Sequence, residues 1–197
     1  MKVILIRHAQ TQGNLEKRYI GRTNDPLCDE GVKQAGALFE SGNLPRADAL
    51  IASPYLRCTQ TAEILYPDMV YEIYDDLREC DFGIFEGKTH AELLSNGEYT
   101  AWLSTNCLRD IPGGESVTMF KRRCCTTFME AVRNKPDDAA VAFIIHGGCI
   151  MAILEHFLQP HKEFQEYYVN NCEVVVCTVV RSQNGISLSR NPMKYTG

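Results

Sequence analysis

Two apolar runs in this chain each stop at a histidine, and that repeated event constrains the fold more than any other feature. The first, Val3 to Ile6 in MKVILIRHAQTQGN, ends in Arg7 and His8. The second lies in AAVAFIIHGG and ends in His146, with Gly147 and Gly148 behind it. Short apolar runs of this kind are the pattern of a strand buried on both faces. A strand made for an interior that finishes on a cationic or near-cationic side chain delivers that side chain to the end of a sheet. In open α/β sheets, ligands sit just outside the carboxyl ends of the strands.

The remaining pattern supports such a sheet. Strand-type runs at 2–6, 49–52, 69–74 and 140–145 alternate with helix-type stretches. DEGVKQAGALFESG is acidic at its start and has Gly42 near its end, as a helix prefers. SPYLRCTQTAEILYP offers Ser53 in the capping position, Pro54 in the first turn and Pro67 beyond the end. ESVTMFKRRCCTTFMEAVRN and GCIMAILEHFLQ carry apolar residues at helical spacing. CEVVVCTVVRSQNGISLSRN predicts two strands around Asn184-Gly185, a strong hairpin signal. The expectation is one α/β domain over residues 1–197: three layers, a mostly parallel central sheet with helices on both faces, and a C-terminal antiparallel hairpin as an edge.

Composition narrows the partners. A formal net charge of −5 argues against bulk affinity for nucleic acid or an anionic membrane, though not against a small basic pocket. No stretch approaches the about 18 consecutive apolar residues that span a bilayer. Lys2 precedes only four apolar residues before Arg7, too few for a signal-peptide core. The nine cysteines form no CxxC pair and read as reduced thiols rather than a disulfide frame or zinc site. The expected compartment is the cytoplasm.

If the two histidine-tipped strands are neighbours, His8 and His146 face each other across one crevice with Arg7 beside them. Gly147 and Gly148 then offer backbone N–H groups at a helix start, a favourable place for an anion. Singly, a histidine after a strand is more often a structural residue, and Arg7 could be a rim ion pair. The two ends together are harder to explain without an anion between them.

RHAQTQGN resembles the signature of the histidine phosphatase superfamily, the phosphoglycerate-mutase-like fold. NDPLCDEGVKQA, ASPYLRCTQTAEI, LRECDFGIFEG and HGG follow in the family's order, so the match runs from residue 4 to about residue 150. Within the family, DFGIFEG and the short length are most similar to the small phosphatases that include α-ribazole phosphatase. The resemblance implies that His8 is the nucleophile and carries a phosphohistidine. A neutral imidazole meets no charge repulsion at phosphorus, and the guanidiniums near it favour the neutral form. Arg7, Arg57 and His146 are implied to cradle the transferring phosphoryl group, whose charge spreads over three oxygens. With that charge supplied by protein groups, the resemblance implies neither a metal nor an organic cofactor.

Glu79 in LRECDFG matches the family's proton donor. One carboxyl can protonate the leaving alkoxide and later take a proton from water, and a neighbouring phosphate dianion helps it keep its proton for the acid role. Asp81 reads as structural, and Glu86 as a residue that orients its loop. Asn14 and Thr11 match polar positions that hydrogen-bond phosphate oxygens. Gly21 matches a loop whose backbone approaches the substrate. Lys121-Arg122-Arg123 reads as a solvated helix face, and His90, His156 and His161 as exposed residues. The pocket for the alcohol is expected to draw on residues 87–107, Trp102 included. Ala9 stands where the family has glycine and so requires negative φ and a little more room. Cys28 replaces a threonine or serine at a helix start, with Asp29 sharing the cap, and Phe85 replaces a common tryptophan.

These residues are expected to make a phosphomonoesterase for a small phosphorylated metabolite, α-ribazole phosphate being one candidate. The alternatives are a phosphoglycerate mutase, which must shield phosphohistidine from water while it holds its product, and a non-catalytic phosphate-binding module on the same fold. Mutases of the family usually carry a longer insertion than residues 80–145 provide, and a degenerate module is expected to have lost at least one chemical group.

Overall fold

The computed structural model describes residues 1–183 and 185–190. Seven strands form one sheet: β1 (Lys2–Arg7), β2 (Ala49–Ala52), β3 (Tyr71–Ile73), β4 (Ala140–Ile145), β5 (Leu158–Gln159), β6 (Val174–Ser182) and β7 (Gly185–Arg190). The helices are α1 (Gln12–Leu15), α2 (Asp29–Glu40), α3 (Leu56–Leu65), α4 (His90–Leu93), α5 (Gly97–Ser104), α6 (Val117–Arg133) and α7 (Gly147–Phe157). Single 3-10 turns lie at Asp75–Leu77, Gly83–Phe85 and Phe164–Tyr167.

The strand order is β3-β2-β4-β1-β6-β7-β5. The first four run parallel; β6 is antiparallel to β1, and β7 to β6. Every residue of the VILI run is at most 1% exposed because both faces of the sheet are covered. Val3 and Leu5 point into one apolar layer with Phe128 of α6 and Ile150 of α7. Ile4 and Ile6 point into the other, with Leu38 of α2 and Ala62 of α3. Burying each such side chain stabilises the fold by about 1.5–3 kcal/mol. A third, smaller cluster of Phe85, Leu93, Tyr99, Trp102 and Ile111 forms under α4 and α5, away from the sheet.

The mostly parallel sheet, the helices on both faces and the C-terminal hairpin match the expectation. Asn184 lies outside the described residues, but β6 and β7 pair from Ser182 and Gly185 outward as predicted. Four details differ. β1 continues through Arg7, and β3 is confined to Tyr71–Ile73. The hairpin is not the edge, since the two-residue β5 pairs in parallel outside β7. Ser53 does not cap α3. The N-cap is Tyr55, with no side-chain cap bond, because the Ser53 hydroxyl is committed to His146 instead.

The topology places the site. β1 and β4 are adjacent and parallel, with Arg7 opposite Ile145 in register. The chain leaves β1 toward α2 on one face and leaves β4 into α7 on the other. Their carboxyl ends therefore open a crevice at the point where the winding reverses.

Candidate active site

His8 is the first residue past β1, and its N–H donates to the Ile145 carbonyl at 2.9 Å, so the neighbouring strand holds its backbone. His146, the N-cap residue of α7, stands beside it with ring centroids 5.2 Å apart at a 66° tilt. The Nδ1–H of His8 donates to the Ala9 carbonyl at 2.7 Å. In the neutral ring this tautomer leaves a lone pair on Nε2. Ala9 is fully buried, and its N–H donates to the Thr61 hydroxyl at 3.0 Å, so the methyl group is accommodated inside the fold.

Four groups from distant parts of the chain meet here, but in two layers. Arg7 and His8 line a crevice of about 500 Å³ together with Glu79, Asn14 and Gly147. Arg57 and His146, 1% and 0% exposed, lie behind that surface. Arg57 donates from Nε to His146 Nδ1 at 3.3 Å, from Nη1 to the Thr23 carbonyl at 2.6 Å and from Nη2 to the Gly21 carbonyl at 2.8 Å. The other nitrogen of His146 meets Ser53 Oγ at 2.7 Å. Both residues expected in the cradle are thus engaged with protein partners, His146 with Ser53 and Arg57, and Arg57 with the Thr23 and Gly21 carbonyls. Arg7 faces the crevice, which Lys17 and Arg18 also line. Its Nη1 donates to the Val169 carbonyl at 2.8 Å, while its buried Nε has no partner among the described residues.

Burial holds the His8 ring well below the usual histidine range, and the charges of Arg57 and Arg7 push it further in the same direction. His146 is lowered by burial first, then by Arg57 and its other neighbours. Both shifts favour the neutral form of the ring.

Glu79 sits in the irregular segment between two 3-10 turns, with its carboxylate docked on two backbone amides: Cys80 N–H at 2.9 Å and Gly148 N–H at 3.0 Å. Of the two glycine amides expected to greet an anion, Gly148 is thus taken by Glu79, whereas Gly147 stays beside Arg7. Asn14 also lines the crevice. Its carbonyl oxygen accepts from Thr11 N–H at 3.1 Å and from the Asn171 amide at 3.2 Å, which turns its own amide nitrogen free as a donor.

Two expected substrate contacts are corrected. Thr11 is fully buried and caps α1 in a reciprocal pair with Asn14, so it positions Asn14 and does not face the crevice. Gly21 does not line the crevice either. It accepts from Arg57, donates to Glu86 at 2.9 Å, and packs so closely that a Cβ would fall 2.0 Å from the Cys80 carbonyl oxygen. Glu86 does orient its loop, accepting also from the Thr23 N–H and hydroxyl at 3.0 and 2.8 Å. Asp81 caps its own turn through Gly83 N–H at 2.8 Å. His90, His156 and His161 are exposed as expected. Cys28 caps α2 through its thiol, which accepts from Gly31 N–H at 3.4 Å; Asp29 is not needed for that cap.

The wall of the crevice was half legible. Trp102 and Cys107 line it as expected, and Tyr19 and Phe82, outside the expected stretch, line it as well. Phe164, Gln165, Tyr168 and Asn171 line it too, none of which the sequence singled out. That segment is a 3-10 turn and loop without periodicity, so the only available signal was the aromatic density of FQEYYVNN. Arg123, taken for a solvated residue, points inward beneath Glu79. Its spacing three residues after Phe120 and four before Thr127, both buried, could have revealed it.

The comparisons with known proteins agree with this geometry. The family model described as histidine phosphatase superfamily (branch 1) matches residues 3–192. A probable phosphoglycerate mutase GpmB of Enterobacter sp. (strain 638) is 31% identical over 163 residues, spanning 78% of this chain and 74% of that protein. Two solved structures share the fold at lower identity. A putative α-ribazole-5'-P phosphatase from Escherichia coli K-12 gives a TM-score of 0.81 at 22% identity, covering 100% of this chain and 98% of the other. The mycobacterial glucosyl-3-phosphoglycerate phosphatase Rv2419c gives 0.81 at 24% identity, covering 96% of each chain. With the two strand-end histidines side by side, an arginine at the crevice surface and a family match along nearly its whole length, the chain belongs to the histidine phosphatase superfamily, branch 1.

Proposed function

We propose that this chain is a phosphomonoesterase that works through a phosphohistidine on His8 and needs no metal. In the first half-reaction the Nε2 lone pair of His8 attacks phosphorus, the bond from phosphorus to the ester oxygen breaks, and Glu79 gives its proton to the departing alkoxide. In the second, water attacks the same phosphorus while Glu79 takes its proton, the P–N bond breaks, and inorganic phosphate leaves. Arg7, the Gly147 amide and Asn14 hold the phosphoryl oxygens; Arg57 and His146 supply charge and orientation from behind. The observation that carries the reading is the 2.7 Å bond from His8 Nδ1 to the Ala9 carbonyl, which presets the tautomer the attack requires, in a crevice that Glu79 also lines.

The alcohol side of the crevice is walled by Tyr19, Phe82, Trp102, Phe120, Phe164 and Tyr168. Aromatic walls suit a phosphomonoester whose alcohol carries a flat or apolar ring, and α-ribazole phosphate is a substrate of that class. The mutase reading draws on the likeness to the probable phosphoglycerate mutase. Against it, only the short α4 and α5 stand between the Glu79 segment and α6 to cover the site, which is little shielding for a phosphohistidine.

The test is a screen of phosphomonoesters, α-ribazole 5'-phosphate and 3-phosphoglycerate among them, with and without EDTA and beside His8→Ala. Phosphate release that ignores the chelator and vanishes in the variant is expected. Release that survives His8→Ala or demands added magnesium refutes the mechanism. Isomerisation of phosphoglycerate with little free phosphate favours the mutase, and tight phosphate binding without turnover favours the binding module.

A further inference from the structure

A general acid is only as good as its placement, and Glu79 sits on backbone with no helix or strand to place it. Residues 78–82 run between the 3-10 turns Asp75–Leu77 and Gly83–Phe85. Backbone carbonyls in such a segment must find donors elsewhere. Here one side chain serves two of them and a third just upstream. Arg123 of α6 donates from Nη1 to the carbonyls of Asp76 and Arg78, both at 2.7 Å, and from Nη2 to the carbonyl of Glu79 itself at 3.1 Å.

The guanidinium is itself locked. Glu115 accepts from Nε and Nη2, each at 2.7 Å, in a two-pronged pair, and the Phe120 ring lies 5.0 Å from the guanidinium carbon. Glu115 is tied in turn to the same segment, since its N–H donates to the Asp81 carbonyl at 3.0 Å. Carbonyls on both sides of the acid and that of the acid itself are thus gathered by one ion pair. The carboxylate is tied to the Cys80 and Gly148 amides, and the Cys149 thiol donates weakly to the Leu77 and Arg78 carbonyls at 3.3 and 3.2 Å, so Arg123 is the charged donor to the segment's carbonyls.

We infer that Arg123, oriented by Glu115, is a positioning residue for the general acid–base step. It touches neither the crevice surface nor the nucleophile, and it acts by fixing the backbone from which Glu79 reaches the ester oxygen. The inference rests on the reading of Glu79 as the proton donor. Arginine is the residue for this task because its planar fork serves several acceptors at fixed angles, whereas a lysine ammonium is a single point donor.

A role of this kind has a signature that a loss of general stability lacks. p-Nitrophenolate departs from phosphorus without a proton, but benzyl alkoxide needs one, and both esters present one aromatic ring to the crevice. The quantity kcat/KM covers the steps through departure of the alcohol. For Arg123→Ala it is expected to fall about 100-fold on benzyl phosphate, the cost of a misplacement near 1 Å. On p-nitrophenyl phosphate it is expected to change by less than about 3-fold, since the proton from Glu79 is not used there. Arg123→Lys and Glu115→Gln should shift the same ratio in the same direction by smaller factors. Equal losses on the two esters, or none on either, overturn the inference. If Arg123→Ala does not fold, the ratio in Arg123→Lys and Glu115→Gln decides by the same criterion. A wild-type protein that hydrolyses neither ester refutes the phosphatase reading itself and the inference with it.

Discussion

Gly148→Ala tests the seat of the acid from its other side. A Cβ built on Gly148 would lie 2.4 Å from Glu79 Oε1, 3.1 Å from Phe120 Cζ and 3.2 Å from Glu79 Cδ. Ordinary contact begins near 3.4 Å, so the carboxylate must retreat by about 1 Å and gives up its 3.0 Å bond from Gly148 N–H. The retreat is feasible because the clashing atoms are the end of a flexible side chain, so the fold should survive. A lost charged hydrogen bond costs about 1.5–3 kcal/mol. The gain in helix propensity from glycine to alanine at the start of α7 returns about 0.5–1 kcal/mol. The net loss should therefore be about 0.5–2.5 kcal/mol in a urea melt. Activity should suffer more: kcat/KM on benzyl phosphate is expected to fall about 100-fold, since a general acid displaced by 1 Å no longer shares its proton with the ester oxygen. Gly36→Ala in α2, where a Cβ meets nothing within 4 Å, is the matched control and should keep full activity. A folded Gly148→Ala enzyme with wild-type turnover of benzyl phosphate would show that the docked carboxylate is not the working acid.

Three further outcomes follow from the same contacts. Gly21→Ala drives a methyl against the Cys80 carbonyl oxygen, which is backbone and cannot step aside, so a loss of about 1–3 kcal/mol is expected in denaturant melts; an unchanged midpoint would contradict the packing. Ser53→Ala strips the 2.7 Å partner from a fully buried His146 nitrogen and should cost about 1–3 kcal/mol while leaving the wall of the crevice intact, to be read by the same melts. The two buried histidines also predict acid sensitivity. Their pKa values are lowered by folding, so below the unfolded value near 6.5 the unfolded chain binds protons that the native chain refuses. Stability should then fall by up to about 1.4 kcal/mol per pH unit for each ring between pH 6.5 and 5.5, above the range where carboxylates titrate. Urea midpoints that stay flat across that window would show that the rings are not held neutral.

How far the site could be read in advance depended on what kind of element carried each group. His8, His146 and Arg7 were legible because a strand buried on both faces has one place to put a polar residue, which is its end. Glu79 was reached only through the family's motif, since the segment around it has no period of its own. Arg57 and Arg123 were harder because each sits on a helix stripe otherwise made of buried residues: Arg57 precedes Thr61 and Leu65 at helical spacing, as Arg123 follows Phe120. A charge on such a stripe is the signal, and it marks a cation that the fold encloses and feeds with carbonyls. Thr11 and Ser53 misled for a shared reason. A hydroxyl at a helix start can cap that helix or serve a distant partner, and local sequence does not say which.

The two-layer arrangement resolves a conflict in the chemistry. A phosphate site wants positive charge, yet a histidine nucleophile surrounded by carboxylates would be held protonated and useless. Here the inner cation Arg57 is satisfied by two carbonyls, by His146 and by the Tyr55 ring at 4.6 Å, with no carboxylate among these partners. Its charge is therefore not paired directly and acts on the buried rings beside it. That charge disfavours a proton on His8 and favours an oxyanion in front of it, so one group serves both halves of the requirement. Replacing Arg57 by methionine should then change two observables together. Affinity for inorganic phosphate should weaken, and the acid limb of kcat/KM should move up toward the ordinary histidine value near 6.5 as one of the two charges opposing protonation disappears. If phosphate affinity fell while the acid limb stayed in place, the charge would be acting on the ligand alone, and the neutrality of His8 would have to come from burial.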